Sequence, residues 1–209
     1  MRAEASSQAQ TLPAKLVHRG CTFRPELTPP PGHIPSERFG ELHGMANDAV
    51  MLACRQDGKF PYTEMRSPLN PAARAKVFIN MFEWNSILET AFTELPKIRR
   101  IGFLAWLGFD PDNLPEVVLC RPQFDSRSPW SDVLTTAAFA ELMGMSKAAV
   151  DKMCDKNKLP YIEMKIPGTG VHATRFIYMP AWNGAMQMAF ELQSAERGRP
   201  YEAWVGIPG

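Results

Sequence analysis

Ser146 is followed by Lys147, Asp151, Lys152, Lys156 and Lys158, all within thirteen residues. Lysines at that density suit phosphate oxygens or guanine edges, and a serine at a helix start also meets a phosphate. Farther on, Lys165, His172, Thr174 and Arg175 surround Gly168 and Gly170. Two glycines make a tip flexible enough to enter a minor groove, where arginine is favoured; His172 reads as a solvent residue. A hundred residues earlier, Asn47, Asp48, Met51 and Leu52 stand where Lys147, Ala148, Asp151 and Lys152 stand in the later segment. There Arg55 and Lys59 remain basic, followed by Arg66, Arg74 and Lys76. The plainer reading of all these cations is a solvated charged face.

Catalytic constellations are missing. The sequence has no glycine-rich phosphate loop, no HExxH and no GxSxG. A tyrosine recombinase would need a larger domain bearing Arg and His. The cysteines, Cys21, Cys54, Cys120 and Cys154, form no CxxC pair, and no histidine lies at zinc-ligand spacing from a Cys pair. Reduced, mostly buried thiols are expected, with no metal and no cofactor. The chain reads as a non-enzyme.

The net charge of +1 argues neither for nor against nucleic acid. Lys and Arg against Asp and Glu give +2 over residues 1–35, 0 over 36–110, −2 over 111–135 and +1 over 136–209. Contact with DNA therefore has to come from local clusters. No apolar run reaches membrane-spanning length, and MRAEASSQAQ at the start lacks the apolar core of a secretory signal. No membrane partner and a cytoplasmic location, at the nucleoid of a bacterial host, are expected.

The elements that must position these residues are found through an internal repeat. FGELHGMANDAVMLAC (39–54) recurs as FAELMGMSKAAVDKMC (139–154), an offset of 100. KFPYTEM (59–65) recurs as KLPYIEM (158–164), offset 99. VFINMFEWN (77–85) recurs as RFIYMPAWN (175–183), and AWLGF (105–109) as AWVGI (203–207), both offset 98. The shifts fall beside Gly58 and in a loop, where deletions are cheapest. The repeat divides the chain into a flexible extension (1–35), a first module (36–110), a linker (111–135) and a second module (136–209). The linker's roughly 25 residues would span about 80 Å if extended.

Within each unit, Ser36 and Thr136 suit a helix N-cap, and Gly44 and Gly144 suit the positive φ of a tight turn. A second helix follows, capped at Ser146 and ending near Gly58 or Asn157. Tyr62–Met65 and Tyr161–Met164 alternate like half-buried strands. A turn-rich tip leads to a further strand at Val77–Met81 or Arg175–Met179. A third helix runs from near Trp84 to Phe92, or from near Trp182 to Phe190. Helix, glycine turn, helix and a two-stranded wing make an α+β fold of two tandem winged helix-turn-helix modules. Trp84 and Trp182 are expected in the cores. Trp106 and Trp204, in the short apolar tails, are expected either to pack on their own module or to dock on another protomer.

The Phe-Ala-x-Leu opening, the Ser-x-x-x-Val helix, the Lys-Leu-Pro step and the Pro-Ala-Trp-Asn entry to the last helix resemble the Cox proteins of temperate bacteriophages, relatives of excisionase and MerR-type winged helices. Both repeats carry the resemblance, over about 150 residues. It implies a recombination directionality factor, or excisionase, that is also a transcriptional repressor controlling the lytic or lysogenic choice. The implied partners are double-stranded DNA carrying direct repeats near a promoter or attachment site, further copies of the chain, and an integrase. The fusion of two copies departs from the single-module pattern. A second reading keeps the fold as a protein-interaction adaptor that no longer binds DNA.

Overall fold

A computed structural model describes residues 16–18, 21–23, 29–56, 58–67, 70, 72–121, 130–165 and 173–197. Near the N-terminus, β1 (Leu16–His18) pairs antiparallel with β2 (Cys21–Phe23). The first unit follows as β3 (His33–Pro35), α1 (Ser36–His43), α2 (Asn47–Arg55), β4 (Tyr62–Met65), β5 (Lys76–Asn80) and α3 (Met81–Thr93). Two short helices trail it, α4 (Lys97–Ile101) and α5 (Phe103–Trp106). The second unit repeats the order with β6 (Val133–Thr135), α6 (Thr136–Leu142), α7 (Lys147–Asp155), β7 (Tyr161–Met164), β8 (Thr174–Tyr178) and α8 (Met179–Arg197).

The two sheets share one topology, β3-β5-β4 and β6-β8-β7, all antiparallel. Their registers also correspond: Ile79 lies between Ile34 and Tyr62, and Ile177 between Leu134 and Tyr161. Each unit is a winged helix-turn-helix, so the fold is α+β in two tandem copies. The same residues fill both cores. Phe39 meets Trp84 edge to face at 5.4 Å, and Phe139 meets Trp182 at 5.5 Å. Val50 and Cys54, like Val150 and Cys154, are fully buried under the helix pair. Burial pushes both thiols up to about 11, so they stay protonated and act as small apolar groups.

The turns follow from backbone demands. Gly44 and Gly144 sit at φ 66° and 64°, the left-handed conformation that closes α1 and α6. Ser146 caps α7, its hydroxyl accepting from the Ala149 N–H at 3.2 Å. The other expected caps shift by one residue. Thr135, not Thr136, accepts the Ala138 N–H at 3.1 Å. In the first unit Pro35 holds the cap position with no side-chain bond, and Ser36 is already inside the helix and buried. The last helices begin at Met81 and Met179, three residues before the tryptophans, because Asn80 caps α3 by accepting the Phe82 and Glu83 N–H groups.

Two further differences concern the segments outside the modules. Residues 1–35, expected as a flexible extension, contain the β1–β2 pair and contribute β3 to the first sheet. The linker contributes β6 to the second sheet in the same way. Residues 114–121 of the linker pack as an extended segment, as the apolar run at 117–119 leads one to expect. Cys120 donates its N–H to the Pro180 carbonyl at 3.0 Å. The Val118 carbonyl lies so close to Gly184 that a Cβ there would come within 1.7 Å of the oxygen.

The second sheet is covered on both faces. Tyr161 and Ile177 belong to the second unit's own core. Val133, Ile162, Phe176 and Tyr178 belong to a core shared with Phe39, Trp84, Leu88 and Phe92 of the first unit. Phe92 stacks on Tyr178 at 4.6 Å. The corresponding positions of the first sheet hold His33, Thr63, Phe78 and Asn80, a more polar set.

Candidate nucleic-acid interface

In a helix-turn-helix the second helix enters the major groove. In α7, Val150 and Cys154 turn inward, Asp151 is half-buried, Lys147 and Lys152 are exposed, and Lys156 is exposed at the C-cap. Lys147 Nζ pairs with Asp151 Oδ2 at 2.6 Å, one helical turn apart and largely in solvent. Such a pair is weak and yields readily to a phosphate. Lys152 and Lys156 are exposed and have no ion pair among the described residues. Lys147 stands at the start of the helix beside the Ser146 cap, Lys152 in its last turn and Lys156 at its C-cap.

Other expected contact residues are held elsewhere. The Arg175 guanidinium pairs with Asp155 at 2.7 Å and Glu163 at 3.3 Å, and lies over the Tyr161 ring. It ties α7 to the sheet. The first unit has the same strut with the charges reversed: Arg55, at the end of α2, pairs with Glu64 of β4 at 2.8 Å. Lys158 is half-buried, its ammonium 5.9 Å from the Trp106 ring. Lys165 is exposed at the end of β7 and, with Met45 and Met164, lines a cavity of about 30 Å³ between the units. The base of the second wing is therefore seated beside the turn that leads into α2.

On α2, Asn47 and Asp48 occupy the first turn and Leu52 is exposed. Lys59, Arg66, Arg74 and Lys76 are exposed, the last three at the base of the first wing. The tip of the second wing, with His172, and the tail with Trp204 lie outside the described residues. Trp106 stacks on Trp182 at 6.5 Å. This tail tryptophan, expected on its own module or on another protomer, packs instead on the second unit of the same chain. No group of three or more His, Cys, Asp or Glu able to hold a metal occurs among the described residues. No described helix is long and apolar enough to cross a membrane.

Sequence reasoning missed the polar residues that lock the units together. Asn85 donates to the Trp130 carbonyl at 2.8 Å and accepts the Asp132 N–H at 3.0 Å. Arg121 bridges Asp132 and Glu89, both at 2.7 Å. Arg99 lies 4.4 Å over the Tyr161 ring and 3.6 Å from Glu163. The signal for Asn85 was its recurrence in both Trp-Asn pairs. Arg121, in an acidic, proline-rich stretch, gave none.

The family described as "Regulatory phage protein cox" matches residues 25–109 and again residues 121–207. The "Regulatory protein cox" of Escherichia phage P2 is 35% identical over 79 residues, which are 37% of this chain and 87% of that protein. A solved structure described as that of a DNA binding protein from phage P2 shares 36% identity; the match covers 36% of this chain and 96% of that one, with a TM-score of 0.32. The Cox protein of phage P2 thus corresponds in length to one of the two units.

Proposed function

Since the chain belongs to the family of the phage regulatory protein Cox, we propose that it binds double-stranded DNA sequence-specifically, acting as an excisionase and transcriptional repressor in the lytic or lysogenic choice. One observation carries the reading. The second helix of the second unit buries Val150 and Cys154, exposes Lys147 directly after the Ser146 cap and Lys152 farther along, and ends at the exposed Lys156. Lysines on such a helix reach phosphates and guanine edges together. The P2 relative's description as a regulatory protein, and the solved phage P2 protein's as DNA-binding, agree with it. Direct repeats near a promoter or attachment site are the expected target, with an integrase as partner in excision.

Footprinting on the DNA flanking the gene, repeated over a few-fold rise in salt, tests this. Several phosphate contacts predict a loss of orders of magnitude in affinity. A protein-interaction adaptor would show no footprint and little response to salt.

Self-association is the second part of the reading, and its support comes from the end of α6 and the turn between α6 and α7. Leu142, Met143 and Met145 are 64, 44 and 37% exposed. Their counterparts Leu42, His43 and Met45 pack against the core shared between the units. An apolar cluster left open at one copy of a contact filled in the other marks an interface. Sedimentation of a Leu142→Ser/Met143→Ser variant checks it: loss of an assembly formed by the unaltered chain supports the role, and an unchanged assembly state removes it.

A further inference from the structure

We infer that the chain engages its two DNA segments at one fixed separation and helical phase, set by the contact between its units and not by the length of the segment joining them. The inference rests on the DNA-binding reading above. A tether of the linker's length would let two reading heads find sites at many spacings, because its reach exceeds a helical turn. The structure removes that freedom three times over. The joining segment is pinned to α8 by the Cys120–Pro180 bond and by the backbone approach of Val118 to Gly184. The units share an apolar core in which Phe92 stacks on Tyr178. Around that core runs a polar rim in which Asn85 holds residues 130 and 132, and Arg121 joins Glu89 to the buried Asp132. Asp132 is held at both ends, its buried carboxylate accepting from Arg121 and its backbone N–H donating to Asn85 of the first unit, so a shift of one unit against the other breaks the Asn85 bonds and the Arg121–Glu89 pair together. The base of the second wing, at Met164 and Lys165, is seated beside Met45 in the turn before α2, a further contact that fixes one unit against the other.

The test uses the full chain and the footprinted operator. Five or ten base pairs are inserted between its two protected halves. A fixed geometry predicts that both insertions reduce affinity to that of a single half, ten as fully as five. Recovery with the ten-base-pair insertion, where phase is restored, overturns the inference while leaving DNA binding intact. A Phe92→Ala/Arg121→Ala variant should tolerate the insertions better than the unaltered chain, with unchanged affinity for a single half. If it discriminates as sharply as the unaltered chain, the interface does not set the spacing. Backbone ¹⁵N relaxation without DNA should give one tumbling time for both units; two distinct times also overturn the inference. Absence of binding to any operator overturns the reading beneath it, while a single tumbling time would still show that the units move as one.

Discussion

The imidazole of His43, in the first unit, accepts the hydroxyl proton of Ser131, next to the second sheet, at 3.0 Å. The direction of that bond is fixed by the other ring nitrogen. Nδ1 lies 2.8 Å from the Phe39 carbonyl, which can only accept, so Nδ1 carries the proton and Nε2 is the acceptor. The ring is 2% exposed and lies among Phe39, Trp84 and Phe176. Burial favours the neutral imidazole and lowers its pKa from 6.5 to about 4, against the hydrogen bond to the Phe39 carbonyl, which raises it.

Acid should therefore weaken the chain through this residue. Between pH 6.5 and about 4 the unfolded state binds the proton and the folded state does not, so stability rises with pH across that window. Full stability is present above pH 6.5 and about 3 kcal/mol is lost on falling to pH 4, at 1.36 kcal/mol per pH unit. Denaturant midpoints measured from pH 4 to 7 should show this slope. His43→Met, which installs the residue found at position 143, should flatten it. A slope that persists in the variant would assign the acid sensitivity to other groups.

Gly184 is predicted to be irreplaceable even by alanine. Its backbone faces the Val118 carbonyl oxygen at a distance no Cβ tolerates. The contact is backbone against backbone, so neither partner can swing aside as a side chain would. The first unit has Ser86 at the equivalent place, so the requirement belongs to the joining segment and not to the helix. Gly184→Ala should cost about 1–3 kcal/mol, as overpacking does, and should make residues 114–121 more open to proteolysis. Unchanged stability together with unchanged cleavage would contradict the close approach.

Trp106 supplies a third test, since its ring lies on Trp182 and under Lys158. Truncating an aromatic residue that is 45% exposed removes part of its buried area and one aromatic pair. Trp106→Ala should lower stability by about 1–2 kcal/mol and leave the sedimentation profile of the chain as it was. A change in assembly state without a change in stability would instead put this residue at a contact between protomers.

Much of the fold was legible because the repeat states it twice. Each inward position, such as Phe39 and Phe139 or Val50 and Val150, confirms its counterpart, and glycine at 44 and 144 marks the same left-handed turn. Helix ends were less legible. Thr135 and Thr136 are both capping residue types, and only the Ala138 N–H decides between them. The contact between units was hidden for a different reason. Phe176 and Tyr178 continue the strand pattern of β8, so alternation assigns them to the solvent face of an isolated unit. They are buried because another unit covers them. Arg175 was half legible in the same way: its place on the wing suits a groove, and the partners Asp155 and Glu163 that hold it are brought near only by folding.

The last prediction concerns which unit reads sequence. Lys147 and Lys152 project from α7, while Asn47 and Leu52 replace them on α2 and Asp48 would repel a phosphate. Arg55 is already committed to Glu64, so its removal affects the first unit's packing before it affects any groove. Lys147→Ala/Lys152→Ala should therefore lose roughly 1–3 kcal/mol of operator affinity and relax specificity, as the loss of base-reading contacts does. Arg55→Ala/Lys59→Ala should weaken binding less, and evenly across operator and unrelated DNA. Binding isotherms on both DNAs, with thermal melts to register any loss of the Arg55–Glu64 strut, separate these effects. Equal losses from the two pairs on operator DNA would make the units equivalent reading heads. A larger loss from Arg55→Ala/Lys59→Ala, without a lower melting temperature, would reverse the assignment.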